Sequence, residues 1–365
     1  MTSKQNLVDS RQEYINGCTL LYCVVLFAVC CLLPTVSLAN TVNSRAAVVM
    51  DGSTGKLLYA KNPNLRLPPA STTKLMTAIL TVESLDLDKV VTISRYASHV
   101  PPHKAGFREG DRVTVEELLY ATLLGSANDA AVALAEAVAG SEEKFVNLMN
   151  SKASQIGAWN THFINANGLP GSGQYITASD LSIIMQYALH YPKLRQIINT
   201  RFTEISTEQG RSIPLRNTNR LLWTDENLIG GKTGYTRMAR HCFVCVAERE
   251  NETVVVSLLG SPSRSKLWKE SGLLIDRGFD MLNSGGEPVV YLAKVDDTPV
   301  FVQKKMKVVK KKRSPQNSNA LIAEKSGKKK FALAKKGSSK KMLAKSKAKK
   351  KYRIARKGSI ERNKG

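Results

Sequence analysis

One segment of this chain combines a hydroxyl and an amine at a spacing that suits nucleophilic catalysis. Ser71 and Lys74, in Ser71-Thr-Thr-Lys74, lie three residues apart at the predicted start of a helix, so their side chains share one face. A serine hydroxyl attacks a carbonyl well only when a base removes its proton, and a lysine can be that base if desolvation or a nearby cation lowers its pKa. In isolation, the same pattern also fits a helix-capping serine beside a solvated lysine.

A second segment offers a hydroxyl and an amide two residues apart. Ser126 and Asn128, in Ser126-Ala-Asn128, can face one cleft from a loop, where the serine would relay protons and the amide would hold a substrate carbonyl or the lysine. The alternative is an ordinary N-terminal cap for a helix over residues 129–139.

The third segment, Lys232-Thr-Gly234, opens a strand-like run. On a strand, Lys232 and Gly234 point away from Thr233, and a glycine lets a substrate backbone approach closely. Gly231-Lys-Thr233 partly matches a nucleotide-binding P-loop, but Glu226 occupies the position of the first required glycine and a strand follows instead of a helix. The segment therefore favours a strand that a substrate can approach over a nucleotide-binding loop.

The segments between these motifs predict a sheet that encloses a block of helices. Hydrophobic periodicity and capping residues predict a hairpin over 45–60, helices after Ser71, Thr114, Ser126, Ser141 and Thr177, strands over 243–247 and 253–259, and a closing helix over 266–282. Short strands are also predicted over 288–293 and 298–302. Strands from both ends of the domain would then form one sheet, and the helices between them would form an insertion.

The three motifs occur together in the order expected for class A β-lactamases and penicillin-binding proteins, whose set is S-x-x-K, S-D-N and K-T-G. With Ser-Ala-Asn as its second motif, the chain resembles the serine-type D-alanyl-D-alanine carboxypeptidases, the low-molecular-mass penicillin-binding proteins of peptidase family S11. The similarity covers roughly residues 40 to 283, and its further segments are Ser126–Ala131, Thr161–Asn165, Gly168–Pro170, Tyr175–Ala178, Asn217–Leu222 and Lys232–Thr236. It implies a mixed α+β, β-lactamase-like fold: an antiparallel sheet flanked by helices, with an inserted helical subdomain.

The resemblance also implies an acyl-enzyme mechanism with no metal or organic cofactor. Ser71 would attack the carbonyl of the penultimate D-alanine, Lys74 would accept its proton, and Ser126 would help to pass a proton to the departing D-alanine. Water would then hydrolyse the acyl-enzyme. Penicillins and other β-lactams would acylate the same serine.

The remaining motif residues would bind the substrate, a peptidoglycan stem peptide. Asn128 would orient the substrate and the lysine, and Lys232 with Thr233 would bind the terminal carboxylate. The backbone N–H groups of Ser71 and Tyr235 would form the oxyanion hole, with Gly234 between the binding residues. Lys232 would also depress the pKa of Lys74.

Three alternative functions are possible for a protein with such a site. A D,D-endopeptidase of peptidoglycan crosslinks uses the same residues. A catalytically idle penicillin-binding protein is the second alternative. The three intact motifs argue against it, because an idle protein is free to lose any of them. A β-lactamase needs a glutamate for deacylation, and its one candidate segment, Glu143-Lys-Phe-Val-Asn147, lies close behind Asn128 in an ordinary helical stretch.

One position departs from the family pattern. Members often have glycine after the alanine that follows the third motif, whereas this chain has Arg240 after Ala239. We expect this arginine to alter the edge of the cleft.

The first 39 residues predict export. Cys18 to Leu33 is a 16-residue run of apolar residues interrupted only by Thr19, and Ser37-Leu-Ala39 supplies small residues before a signal-peptidase cut after Ala39. A retained membrane anchor is the alternative, because the charged region before the run is long and balanced. The expected location is the periplasm or cell envelope, including the periphery of the inner membrane.

The charge of the chain is concentrated at its end. Of the 54 Lys and Arg residues, 25 lie between Phe301 and Gly365 beside 2 Glu, which leaves the first 300 residues nearly neutral. We expect residues 284–303 to be a short connector and 304–365 a disordered basic tail that binds anionic membranes or wall polymers. Export and the scarcity of aromatics in the tail argue against nucleic acid.

Only two cysteines, Cys242 and Cys245, follow the predicted leader. On a strand, residues three apart face opposite sides and lie about 10 Å apart, too far for a disulfide. They are predicted to be a buried structural pair.

Overall fold

The computed structural model describes residues 42–101 and 103–292. Within this part of the chain the strands are β1 (Ala46–Asp51), β2 (Leu57–Lys61), β3 (Val90–Thr92), β4 (Arg112–Thr114), β5 (Phe202–Ser206), β6 (Ser212–Arg216), β7 (Leu228–Thr236), β8 (Arg240–Arg249), β9 (Glu252–Ser261) and β10 (Val289–Tyr291). The α-helices are α1 (Lys74–Ser84), α2 (Arg95–His99), α3 (Val115–Leu123), α4 (Asn128–Ala139), α5 (Glu142–Gln155), α6 (Ala178–Ala188), α7 (Pro192–Asn199) and α8 (Arg264–Ser284). Two short 3₁₀ helices cover Ala70–Thr73 and Arg220–Trp223.

Six of these strands form the central sheet of the described region, in the order β10-β2-β1-β9-β8-β7. All neighbours are antiparallel except β10, which runs parallel to β2. The sheet therefore joins strands from both ends of the domain, as predicted, and β7 lies at its edge. The mixed α+β architecture with an inserted helical block is confirmed.

Both faces of the sheet are buried, which explains the nearly continuous apolar runs of β8 and β9. Val244, Val246 and Val255 belong to a core shared with the helical block, whereas Phe243 and Val254 pack on the side of α8. Cys242 lies in the first core and Cys245 in the second. Both thiols are free and buried, as predicted for residues on opposite faces.

Two capping residues predicted for the helical block, Thr114 and Thr177, do cap a helix. Thr114 accepts a hydrogen bond from the Glu117 N–H in a complete capping box at α3, and Thr177 caps α6. Ser71 precedes α1 in the 3₁₀ turn, so Lys74 is the first α-helical residue. Ala127, not Ser126, is the N-cap of α4, and it makes no side-chain capping bond.

Several short elements were not predicted from the sequence. The helix α7 is one of them, and it begins at Pro192, whose missing N–H costs nothing in the first turn. The hairpin of β5 and β6 and the small β3–β4 pair also escaped prediction, because their strands are only 3 to 5 residues long.

Some predictions fall outside the described residues: the leader over 1–39, the strand over 298–302 and the tail over 304–365. Within residues 42–101 and 103–292, no helix has both the length and the apolar character needed to cross a membrane.

Candidate active site

The three motifs meet at one cavity of about 250 Å³. Six of the eight predicted site residues line it directly: Ser71, Ser126, Asn128, Thr233, Gly234 and Tyr235. The other two, Lys74 and Lys232, are completely buried and reach the lining serines through their amines. The structure thus brings together residues that are up to 164 positions apart in the sequence.

Lys74 is held by three oxygen atoms. Its Nζ lies 2.7 Å from Asn128 Oδ1, 2.7 Å from the Asn167 carbonyl oxygen and 3.3 Å from Ser71 Oγ. The Asn128 amide is oriented by its own Nδ2, which donates to the Pro101 carbonyl. A neutral amine has two N–H donors, which the amide and carbonyl oxygens would occupy, so its lone pair would point at the Ser71 hydroxyl.

The electrostatics of the cavity favour that neutral form. Burial lowers the pKa of Lys74 well below its usual value, and the nearby charge of Lys232 lowers it further. Asp129 acts in the opposite direction, but more weakly. The arrangement offers what a serine nucleophile needs, namely an amine that loses its proton more readily than an ordinary lysine and lies within hydrogen-bond distance of the hydroxyl.

A second amine–hydroxyl pair lies across the cavity. Lys232 Nζ donates to Ser126 Oγ at 2.9 Å and to the Thr233 carbonyl at 3.0 Å. Burial lowers the pKa of Lys232 to about 7. Ser126 has a left-handed backbone, with φ at 58°. Such strain in a residue other than glycine is typical of functional sites.

The low pKa of Lys232 should make the stability of the fold depend on pH. Between about pH 7 and the usual lysine pKa of 10.5, the unfolded chain binds a proton that folded Lys232 does not. The free energy of unfolding should therefore rise with pH in this window, by up to about 1.4 kcal/mol per pH unit for each such lysine. In Lys232→Met, the free energy of unfolding should rise less steeply with pH, by the contribution of one lysine. Urea unfolding at pH 7.5, 8.5 and 9.5 measures this difference.

Lys61→Met is the control for this prediction. Lys61 donates to the Val42 carbonyl at 2.7 Å and does not line the cavity. If Lys232→Met and the wild type gained stability equally with pH, the buried neutral state of Lys232 would be wrong.

Close backbone contacts position the Ser71 turn. Ala70 has a φ of 50°, and its carbonyl packs against Gly168, where an added Cβ would lie 1.8 Å from the Ala70 oxygen. Gly234 approaches from β7, where a Cβ would lie 3.0 Å from the Ser71 nitrogen. The sequence predicted that Gly234 makes room for substrate, whereas the atoms it admits are those of the protein's own 69–71 segment.

The helix that carries Asn128 also anchors a neighbouring loop. The buried Asp129 carboxylate accepts hydrogen bonds from the backbone N–H groups of Ala105, Gly106 and Phe107, and the Asn128 N–H donates to the His103 carbonyl. This loop places the His103 side chain on the cavity wall. Burial lowers the pKa of His103, and the two lysines lower it further.

Sequence reasoning missed several residues of the cavity. These are His103, Asn167, Leu169, Thr218, His241, Arg264, Leu267 and Trp268. Thr218 lies in one of the resemblance segments, and its hydroxyl is 2.6 Å from that of Thr233. Asn167 contributes a carbonyl oxygen, which every residue has, so its identity carried no signal.

Carboxylates are missing from the cavity wall: among the described residues that line it, none is Asp or Glu. Glu143 and Asn147, the candidate residues for a β-lactamase, are exposed on α5 and do not line the cavity. Within residues 42–101 and 103–292, no group of three or more His, Cys, Asp or Glu side chains is placed to hold a metal ion.

Comparisons with known proteins show which family the chain resembles. A family model described as D-alanyl-D-alanine carboxypeptidase matches residues 34–263. The D-alanyl-D-alanine carboxypeptidase DacF of Bacillus subtilis is 35% identical over 241 residues, which cover 65% of this chain and 62% of that protein. A D-alanyl-D-alanine endopeptidase of Pseudomonas aeruginosa is 33% identical over 63% of this chain and 78% of its own length.

A solved structure shares the fold. The Streptomyces K15 DD-transpeptidase superposes with a TM-score of 0.63 at 32% identity, covering 66% of this chain and 98% of that one. The chain spans only about three-fifths of the length of the first curated relatives it matches. Because the family model covers more than half of the chain, the chain belongs to the D-alanyl-D-alanine carboxypeptidase family, peptidase family S11.

Proposed function

We propose that this protein is an exported serine-type D-alanyl-D-alanine carboxypeptidase that removes the terminal D-alanine from peptidoglycan stem peptides. The observation that carries the proposal is the pairing of two buried lysines with two serines across one cavity, Lys74 with Ser71 and Lys232 with Ser126. An interior holds two cationic side chains only at a large desolvation cost, which lowers the pKa of both amines and so favours their exchange of protons with the serines.

The proposed acylation step follows from these contacts. Ser71 Oγ attacks the carbonyl carbon of the penultimate D-alanine while its proton passes to Lys74 Nζ. The carbonyl oxygen, which gains negative charge, is held by the backbone N–H groups of Ser71 and Tyr235 at the edge of the sheet. The C–N bond to the terminal D-alanine then breaks as Ser126 donates a proton to the departing nitrogen, and the proton that Lys74 accepted from Ser71 replaces the one that Ser126 gave up.

The terminal carboxylate would lie at the β7 side of the cavity. Thr233 and Thr218 present their hydroxyls there, with the Lys232 amine behind them. Arg264 adds an exposed cation to the same wall, and none of the ion pairs within the described residues includes it. Water completes the cycle by hydrolysing the ester on Ser71.

The proposal is tested by D-alanine release from a soluble peptide that ends in D-alanyl-D-alanine. We expect turnover by the wild type and none by Ser71→Ala, with both proteins folded by circular dichroism. Failure of the wild type to release D-alanine while penicillin still acylates Ser71 would contradict the carboxypeptidase assignment.

Endopeptidase activity is the second candidate, because the relatives include D-alanyl-D-alanine endopeptidases. A crosslinked dimeric stem peptide, assayed in parallel with the linear one, separates the two activities. A higher kcat/KM on the linear peptide would support the carboxypeptidase, and a higher value on the dimer would support the endopeptidase.

The basic residues 304–365 are proposed to hold the enzyme at the cell envelope. They supply most of the net charge of +24, and each basic residue near an anionic surface contributes about 1 kcal/mol. Deleting them should leave D-alanine release from soluble peptides intact but shift the protein from the envelope fraction to the soluble one. The measurement is cell fractionation with both proteins expressed at equal levels, and unchanged partitioning would contradict the role of the tail.

A further inference from the structure

The turn between β7 and β8 forms part of the cavity mouth. Thr236 and His241, on either side of it, both line the cavity. Between them Arg237, Met238 and Arg240 are exposed, while Ala239 is buried and donates its N–H to the Thr236 hydroxyl. A hydrogen bond within the turn thus fixes its backbone, and the guanidinium groups of Arg237 and Arg240 are exposed to solvent.

Arg240 has a backbone conformation that does not suit it. Its φ is 58°, in the left-handed region, which costs an ordinary L-residue roughly 1–2 kcal/mol and glycine almost nothing. No ion pair or side-chain hydrogen bond offsets this cost within the described chain. A strained residue without a structural partner suggests that its side chain serves a function.

The strand register places Arg240 on the same sheet face as Lys232. Opposite residues of an antiparallel pair share a face, and Thr236 pairs with Arg240, as Lys232 pairs with Val244. Among the described residues that line the cavity below, Arg264 is the one Arg or Lys and none carries a carboxylate. The Arg240 guanidinium therefore adds uncompensated positive charge to the mouth.

The direction of the bound substrate follows from the proposed function, on which this inference rests. With the terminal carboxylate at Thr233 and the scissile carbonyl at Tyr235, the residues upstream of the two D-alanines extend toward Thr236 and the turn. Two strand residues span roughly 7 Å, so the turn lies beside the first or second upstream residue.

We propose that Arg240 is a specificity-determining residue that selects stem peptides with a free carboxylate just upstream of the two D-alanines. Arginine suits this role because its planar guanidinium binds a carboxylate through two parallel hydrogen bonds. The pairing would favour an acidic stem over the same stem with that carboxylate amidated.

The experiment compares two soluble peptides that end in D-alanyl-D-alanine and differ only by a carboxylate or a carboxamide on the preceding residue. We expect the full-length protein to show a roughly tenfold higher kcat/KM on the acidic peptide, and this ratio should shrink as NaCl is raised. Arg240→Asn, which tolerates a left-handed φ, should lower the ratio to below about threefold, whereas Arg240→Lys should retain most of it.

Misfolding cannot produce this result, because Arg240→Asn relieves backbone strain and its Tm should not fall below that of the wild type. Lys56→Asn is the control: it removes an exposed cation from the β1–β2 turn, at the opposite end of the sheet, and should leave the ratio unchanged. A wild-type ratio within twofold of unity, or a ratio that survives in Arg240→Asn, would overturn the inference. Turnover of the amidated peptide in those cases would leave the proposed function standing, whereas turnover of neither peptide would contradict both.

Discussion

Replacing Lys74 by methionine is expected to slow the acylation of Ser71 by penicillin about 10²- to 10⁴-fold, the usual contribution of a general base. The amine is the one described base within hydrogen-bond distance of the Ser71 hydroxyl, at 3.3 Å, and methionine nearly preserves the buried volume. The measurement is the second-order rate constant for covalent labelling by a fluorescent penicillin. The wild-type rate should also fall as the pH is lowered, because a protonated Lys74 cannot accept the serine proton.

The matched control for Lys74 is again Lys61→Met, which removes a half-buried amine that bonds a backbone carbonyl outside the cavity. It should acylate at the wild-type rate. Lys74→Arg keeps a positive charge that does not dissociate, so it should be as slow as Lys74→Met if the lysine acts as a base. A folded Lys74→Met protein that acylates within tenfold of the wild type would contradict that role.

The second large effect concerns Gly168, because it supports the turn that carries the nucleophile. An alanine there combines a φ of 83° with a Cβ only 1.8 Å from the Ala70 carbonyl oxygen, so the Ser71 turn must move. The backbone conformation costs roughly 1–2 kcal/mol and overpacking typically 1–3 kcal/mol more. We expect Gly168→Ala to lose about 3 kcal/mol of unfolding free energy and, because about 1 Å of misplacement can cost 10²-fold, most of its acylation rate.

Gly173→Ala separates these two causes. Gly173 has nearly the same φ, 86°, but an added Cβ there would meet nothing within 4 Å. This variant should show only the conformational cost and acylate normally. Equal stability losses in the two variants, measured by urea unfolding, would mean that the contact between Gly168 and Ala70 does not position the turn.

The sequence was most informative where side-chain chemistry and spacing coincide. The eight predicted site residues surround one cavity because the three motifs mark the points where a helix start, a loop and an edge strand converge. Because side chains alternate between the two faces of a strand, the sequence also predicted that Cys242 and Cys245 face opposite sides of β8. The two residues do lie in different cores. The roles of the individual site residues stay predictions.

Contacts made by backbone atoms were beyond the reach of sequence reasoning. The Asn167 carbonyl bonds Lys74, and the Asp129 carboxylate binds three consecutive N–H groups, but neither contact has a pattern in side-chain type. From the sequence, Gly234 was explained by a close approach of substrate. The structure places the 69–71 segment against it instead, and a contact between such distant segments has no signal in the sequence. The hairpin of β5 and β6 is too short and too exposed to show a reliable alternation.

Arg240 departs from the family pattern, and both the sequence and the structure contribute to its interpretation. The sequence predicted an altered cleft edge, and the structure adds the left-handed backbone and the shared face with Lys232. If Arg240 determines specificity, the fold has to tolerate the strained backbone of this residue at some cost in stability.

The most direct test of the central claim is intact-protein and peptide mass spectrometry after incubation with penicillin. The account predicts one added penicillin per chain, located on the peptide that contains Ser71 and absent from Ser71→Ala. A folded protein that gains no mass, or that gains it at another residue, would show that Ser71 and Lys74 do not form a working nucleophile.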